Sequence, residues 1–212
     1  MPEISPILVI PLASRQPRRI VTVSGHGVRG TFPSRKSARP AQYESLSEVM
    51  ALIFLEVAPS VTVITTQPQV FEYSDGTCRR RYTPDVVIGT TNGTVFLEVK
   101  DDTSLTSHSR AIVRLRAAAR YLRQRGERFH LVLRSDLIAD ELHDRLQQLL
   151  SARPMRGRYR PNIDATLWDP ENGTHPSAEV LQQWENAKRE CDALLHRIMK
   201  RDPDDLLPIS TR

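Results

Sequence analysis

The sequence predicts an α/β protein: a mixed β-sheet flanked by α-helices, with a basic N-terminal arm before it and a helical C-terminal tail after it. Three observations lead there. β-rich runs separated by turn residues follow one another between residues 61 and 100. Segments with helical periodicity stand on both sides of those runs. A last strand at Phe129–Leu133 is separated from the run ending at Lys100 by a long helical segment, as a parallel crossover requires.

Taken in order, the first forty residues are rich in Pro, Ser, Gly and Arg, with little periodicity apart from a possible strand at Ile20–Val23, and read as an extended arm. From Tyr43 to Glu56 the apolar residues Leu46, Val49, Met50, Ile53 and Phe54 mark one face of an amphipathic helix that stops before Pro59. Three strands follow, at Val61–Thr66, Gln69–Tyr73 and Tyr82–Ile88, the last two joined across SerAspGlyThr as a hairpin. ThrAsnGly then turns the chain into Thr94–Lys100, antiparallel to the Tyr82 strand. Ile112, Leu115, Ala118, Ala119 and Leu122 predict a helix over Ser104–Arg125, capped by Gly126. Helices are also predicted at Asp140–Leu150 and Ser177–Arg201. The boundaries this implies are an arm over residues 1–42, a core over 43–153 and a partly helical extension over 154–212.

At 212 residues there is enough chain for one sizeable core. No apolar run approaches the roughly 18 residues that span a bilayer, and the N-terminal order of charged and apolar residues is wrong for a signal peptide. Cys78 and Cys191 lack the spacing of a zinc site or a disulfide framework. A cytoplasmic address with no membrane partner is the expectation.

The formal charge of +5 is unevenly spread. Met1 to Gln42 holds seven Arg or Lys, among them Arg35, Lys36 and Arg39, against the single acid Glu3. The long helix carries Arg110, Arg114, Arg116, Arg120, Arg123 and Arg125 with no acid, whereas exposed helices normally mix signs. A phosphate backbone is a natural counter-charge, and Arg suits it. Polyanion binding is expected, with Arg35, Lys36, Arg39, Arg110, Arg114 and Arg120 as contacts.

The chemistry sits on the hairpin. It places Pro84-Asp85 at the start of one strand beside Glu98-Val99-Lys100 at the end of its neighbour. Alternation sends Glu98 and Lys100 to the face where both can meet Asp85, while Leu97 and Val99 turn into the core. Two carboxylates and the Val99 carbonyl form a donor set suited to Mg²⁺, with Mn²⁺ as substitute. Such a cation neutralises phosphate charge and acidifies an attacking water, and Lys100 would help orient that water. Hydrolysis of a phosphodiester without a covalent intermediate, leaving a 5′-phosphate and a 3′-hydroxyl, is the reaction this points to. Glu44 and Glu48 share a helix face, and either could add a third carboxylate; Glu48 is preferred because it borders core-type residues. His26 and His108 lack metal-ligand spacing, and GHGVRG lacks the ending of a phosphate-binding loop.

The ordered stretches GTFPSRKSARPAQYESLSEVMALIFLE, TTQPQVFEY, RRRYTPDVVIG and VFLEVK resemble the TnsA endonuclease subunit of heteromeric cut-and-paste transposases. The resemblance runs over about residues 28 to 150. It implies a restriction-endonuclease-like fold of the PD-(D/E)xK type, with Glu48 as the helix carboxylate and Asp85, Glu98 and Lys100 at the remaining motif positions. Gln67, in the QP pair, also falls on a family position. The resemblance further implies cleavage of the non-transferred 5′ strand at transposon ends, and three partners: transposon-end DNA, an integrase-type, TnsB-like transposase and a TnsC-like AAA+ ATPase. The residues alone leave open a stand-alone restriction or repair nuclease and a non-catalytic DNA-binding assembly subunit. Many relatives carry a C-terminal winged helix, which the tail does not suggest here. Trp168 and Trp184 would be partner-docking anchors or would pack on the main core.

Overall fold

A computed structural model describes residues 28–74, 78–106, 110–151 and 177–207. Ile20–Val23, His26, His108, Trp168 and the arginines from Arg153 to Arg160 lie outside the described residues. In chain order the elements are β1 (Gly30–Phe32), β2 (Ala41–Tyr43), α1 (Leu46–Val57), β3 (Val61–Thr66), β4 (Phe71–Ser74), β5 (Arg79–Tyr82), β6 (Val86–Thr90) and β7 (Gly93–Lys100). They continue with α2 (Asp102–Thr106), α3 (Arg110–Gln124), β8 (Arg128–Leu133), α4 (Arg134–Ile138), α5 (Leu142–Ser151), α6 (Ala178–Lys200) and α7 (Pro203–Leu206).

Turn chemistry builds the middle of the sheet. Thr91-Asn92 joins β6 to β7, with Gly93 at φ +101°, where a side chain would be strained. The strands pair antiparallel from Thr90 opposite Gly93 to Val86 opposite Leu97. β3 adds antiparallel to β6 and β8 adds parallel to β7, giving the order β3-β6-β7-β8 and the mixed sheet expected. α3 makes the crossover, and the chain turns out of it at Gly126 (φ +75°). There the Gly126 and Glu127 N–H groups donate to the Arg123 and Leu122 carbonyls, both at 3.0 Å, in a Schellman motif.

Alternation along β7 divides the core. Val95, Leu97 and Val99 join Val86, Ile88 and Val132 under α1, α5 and α6. Phe96 faces the other way, with Phe129 and Leu131, against Ile112, Leu115, Ala118 and Leu122 of α3. Phe71 meets Phe96 edge-on at 5.3 Å, and Tyr73 stacks on Tyr121 at the same separation, so the β4–β5 ribbon caps this second layer.

Two expected elements come out differently. The run Tyr82–Ile88 is not one strand: β5 pairs with β4 as a separate ribbon, and β6 joins the main sheet. Pro84, which has no N–H to give to a central ladder, stands at the break. The helix expected over Ser104–Arg125 appears as α2 and α3, with residues 107–109 outside the described residues.

The described end of the arm is folded onto the core as well. β1 and β2 pair, and the loop between them docks on α1: the Ser34 hydroxyl (2.6 Å) and Arg35 N–H (2.8 Å) donate to the buried Glu56 carboxylate. The tail does the same. Trp184, Cys191, Leu194 and Ile198 of α6 lie in the first core layer, where burial pushes the Cys191 thiol up to about 12. Both cysteines are free. Among the described residues no helix is long and apolar enough to cross a membrane. Because Trp184 is 1% exposed, Trp184→Ala should lower stability by about 3–5 kcal/mol in denaturant unfolding. A loss under about 1 kcal/mol would make it a surface anchor instead.

Candidate active site

Strand register brings three of the expected residues together. Asp85 precedes β6 by one residue, and Glu98 and Lys100 close β7 on the side away from Leu97 and Val99. Asp85 Oδ2 accepts the Val99 N–H at 2.8 Å, and the Asp85 carbonyl accepts the Gln67 N–H at 2.9 Å. Gln67 adopts φ +45° to make that contact, in the left-handed region that non-glycine residues rarely occupy. The aspartate is thus tied to β7 through its side chain and to the end of β3 through its backbone.

The Lys100 ammonium stands among the proposed donors. It lies 2.6 Å from Glu98 Oε1, 3.2 Å from the Val99 carbonyl oxygen and 3.9 Å from Asp85 Oδ2. Glu98 Oε2 accepts a 2.5 Å hydrogen bond from the Tyr82 hydroxyl. Tyr82 thus joins this cluster, which the sequence pattern, reading it only as part of a strand, does not show. Its position two residues before Pro84 was the available signal.

Glu48 approaches from the start of α1. The Ser45 hydroxyl caps the helix by accepting the Glu48 N–H (3.1 Å), and the Glu48 carboxylate accepts from Glu44 N–H (2.8 Å) and Ser45 Oγ (3.0 Å). Its charge nevertheless acts on both Asp85 and Lys100. Glu44 turns instead toward Arg29 at 3.7 Å. Glu44 precedes the Ser45 cap and lies outside α1, so Glu48 is the helix carboxylate whose charge reaches the site, although its oxygens are held at its own cap.

Burial, together with the negative charges of Glu98 and Glu48, holds the Asp85 carboxyl well above the usual aspartate range, against the pull of Lys100 and the Val99 N–H. Burial likewise raises Glu48. Burial disfavours the Lys100 ammonium, but Glu98, Asp85 and Glu48 outweigh it and hold the lysine protonated.

The donor chemistry fits a hard divalent cation. Two carboxylates and the Val99 carbonyl already surround a positive charge, and Mg²⁺ commonly binds through one or two carboxylates while keeping waters. Among the described residues no three His, Cys, Asp or Glu side chains converge into a metal site on their own. Asp85, Glu98 and the Val99 carbonyl would therefore be the holders, with Glu48 beyond them on its helix cap.

The comparisons bear on this site. Residues 58–134 match the family model described as TnsA-like endonuclease N terminal. Over that stretch the chain resembles TnsA. The match contains Gln67, Asp85, Glu98 and Lys100 and stops short of Glu48. The mixed sheet flanked by helices is the restriction-endonuclease-like fold of TnsA-like domains, and the match supports a nuclease. No curated protein matches the chain.

The expected phosphate contacts are scattered. Arg114 and Arg120 are exposed on α3 and form no ion pair among the described residues; the side chain of Arg110 lies outside them. Arg39 is exposed, and Arg35 is half-buried beside Glu56. Lys36 is a correction. It is 7% exposed, and its ammonium donates to the Leu55 (3.0 Å) and Ala58 (2.6 Å) carbonyls, closing the C-terminal end of α1 rather than facing solvent.

Two outcomes follow. Lys36→Met should lower stability by about 2 kcal/mol, because it strands buried carbonyls; an unchanged denaturation midpoint would return Lys36 to the surface. Folded Asp85 holds its proton more tightly than the unfolded chain does, so its ionisation costs stability at neutral pH. Asp85→Asn should accordingly raise stability by about 1 kcal/mol at pH 7. The gain should shrink as pH falls toward the unfolded aspartate value of about 4, and a gain independent of pH would disprove the electrostatic cause.

Proposed function

We propose that this chain is a Mg²⁺-dependent DNA endonuclease subunit of a transposase, cutting the non-transferred 5′ strand at transposon ends. The observation that carries it is the convergence of Asp85, Glu98 and Lys100 at neighbouring strand ends, inside the stretch that matches a TnsA-like endonuclease domain.

Asp85 Oδ2 is committed to the Val99 N–H and Glu98 Oε2 to the Tyr82 hydroxyl, while Glu98 Oε1 pairs with the Lys100 ammonium, whose flexible stem lets it give way to a cation. The second oxygen of each, with the Val99 carbonyl, would hold Mg²⁺, or Mn²⁺ in its place. When bound, the cation neutralises charge on the scissile phosphate and lowers the pKa of an attacking water. Lys100, kept protonated by its carboxylate neighbours, orients that water and offsets its developing charge. In-line attack breaks the bond from phosphorus to the 3′-oxygen, leaving a 5′-phosphate and a free 3′-hydroxyl with no covalent enzyme intermediate. Glu48 adds negative charge behind the site and favours a cation there. Arg35, Arg39, Arg110, Arg114 and Arg120 are the proposed DNA contacts; Lys36 is left out because its ammonium is buried. An integrase-type transposase and an AAA+ ATPase are the proposed protein partners, and the cytoplasm is the proposed address.

The test is strand cleavage on DNA carrying transposon ends, with and without the partner transposase. Asp85→Ala and Lys100→Ala should each reduce Mg²⁺-dependent 5′-strand nicking by about 10²-fold or more. Undiminished nicking in either variant would remove that residue from the chemistry. Equal cutting without the transposase would instead favour a stand-alone nuclease.

A further inference from the structure

We propose that Tyr82 is a positioning residue for Glu98: its hydroxyl fixes one carboxylate oxygen and so presents the other to the cation. This rests on the metal-dependent reading above. Three observations support it. The phenol donates to Glu98 Oε2 at 2.5 Å, whereas Oε1 faces the Lys100 ammonium at 2.6 Å. The two partners differ in freedom, because the lysine has a flexible four-carbon stem and the tyrosine ring is wedged edge-on against Phe129 at 6.1 Å. Tyr82 also closes β5, outside the sheet that carries Glu98, so no strand pairing requires the two side chains to meet.

The division of oxygens repeats at Asp85, whose Oδ2 is taken by the Val99 N–H. Each carboxylate therefore offers one defined oxygen. A carboxylate that rotates freely loses that definition and must be ordered when the cation binds, which weakens binding. The hydroxyl acts on the cation only through Glu98, and it tethers the β4–β5 ribbon to the site.

Calorimetric titration of the full chain with Mn²⁺ tests this apart from cleavage. Tyr82→Phe, which deletes the hydroxyl and keeps the ring, should bind Mn²⁺ about tenfold or more weakly. Phe129→Leu, which loosens one side of the ring's packing and keeps the hydroxyl, should lose much less affinity than Tyr82→Phe does. Wild-type affinity in Tyr82→Phe overturns the proposal, as does an equal loss in Phe129→Leu, which would make the effect one of packing. Unfolding of Tyr82→Phe also overturns it, by making the hydroxyl a structural group. If the wild type binds no Mn²⁺ that Asp85→Asn abolishes, the metal-dependent reading itself falls and this inference with it.

Discussion

The register of β6 on β7 is the constraint on which the site depends. A strand places alternate side chains on opposite faces, so a slip of one residue would carry Glu98 and Lys100 to the α1 face and expose Leu97 and Val99. The two-residue turn before Gly93 sets the register at one end. At the other end the ladder finishes on a side chain, since the Val99 N–H goes to Asp85 Oδ2. Pro84 is what makes this possible. By breaking the strand it frees Asp85 from ordinary pairing, and the same break sends Tyr82 into a separate ribbon from which it reaches Glu98. One proline thus separates two neighbours in sequence and returns both to the same site.

The site is unfavourable as a piece of folded protein. Three carboxylates act on one ammonium, and burial holds the carboxyls of Asp85 and Glu48 above their usual range. A chain selected for stability alone would not keep such a cluster. The surroundings supply the stability that the cluster lacks. Leu97 and Val99 anchor the back of the same strand, and the buried Glu56 pairs with Ser34 and Arg35 to lock the N-terminal loop onto α1. Glu56 and Glu48 lie on the same helix with opposite circumstances. Glu56 is fully buried with strong donors, and Glu48 sits at an end where a cap holds it and a cation could draw on it.

How much of this was legible in the sequence depends on whether a local pattern carried the information. The end of the segment TVFLEVK alternates, with Leu97 and Val99 apolar on one face and Glu98 and Lys100 charged on the other, so its strand, its faces and its partnership with Asp85 could be read directly, as could the crossover through α3. Tyr82–Ile88 reads as continuous β structure because Pro84 changes which strands pair, and pairing is not a local property. Lys36 reads as a solvated cation because its two carbonyl partners lie 19 and 22 residues further along the chain. The apolar face of α6 was legible, but what covers it was not: an anchor for a partner and a core tryptophan need the same side chain. α4 is too short for its periodicity to rise above the surrounding loops.

The arginines of α3 show the same limit in charge. A helix with five arginines and no acid needs counter-charge from elsewhere, and the chain supplies part of it from the acidic turn around α7. Arg123 meets Asp202 at 3.0 Å and Asp204 at 3.1 Å, and Arg116 donates to the Leu207 carbonyl. These contacts seat the turn around α7 on the helix, with Leu207 buried beneath it. The Arg123 pairs are about half exposed, so each is worth no more than about 1 kcal/mol and weakens with salt. Arg120 lies one turn from both Arg116 and Arg123, on the stripe that the acidic turn approaches, whereas Arg114 projects from a different part of the helix. Positive charge on α3 is therefore graded rather than uniform. The polyanion reading rests more heavily on Arg114 than on the stripe, where any phosphate would meet arginines already engaged by the chain's own C-terminal turn.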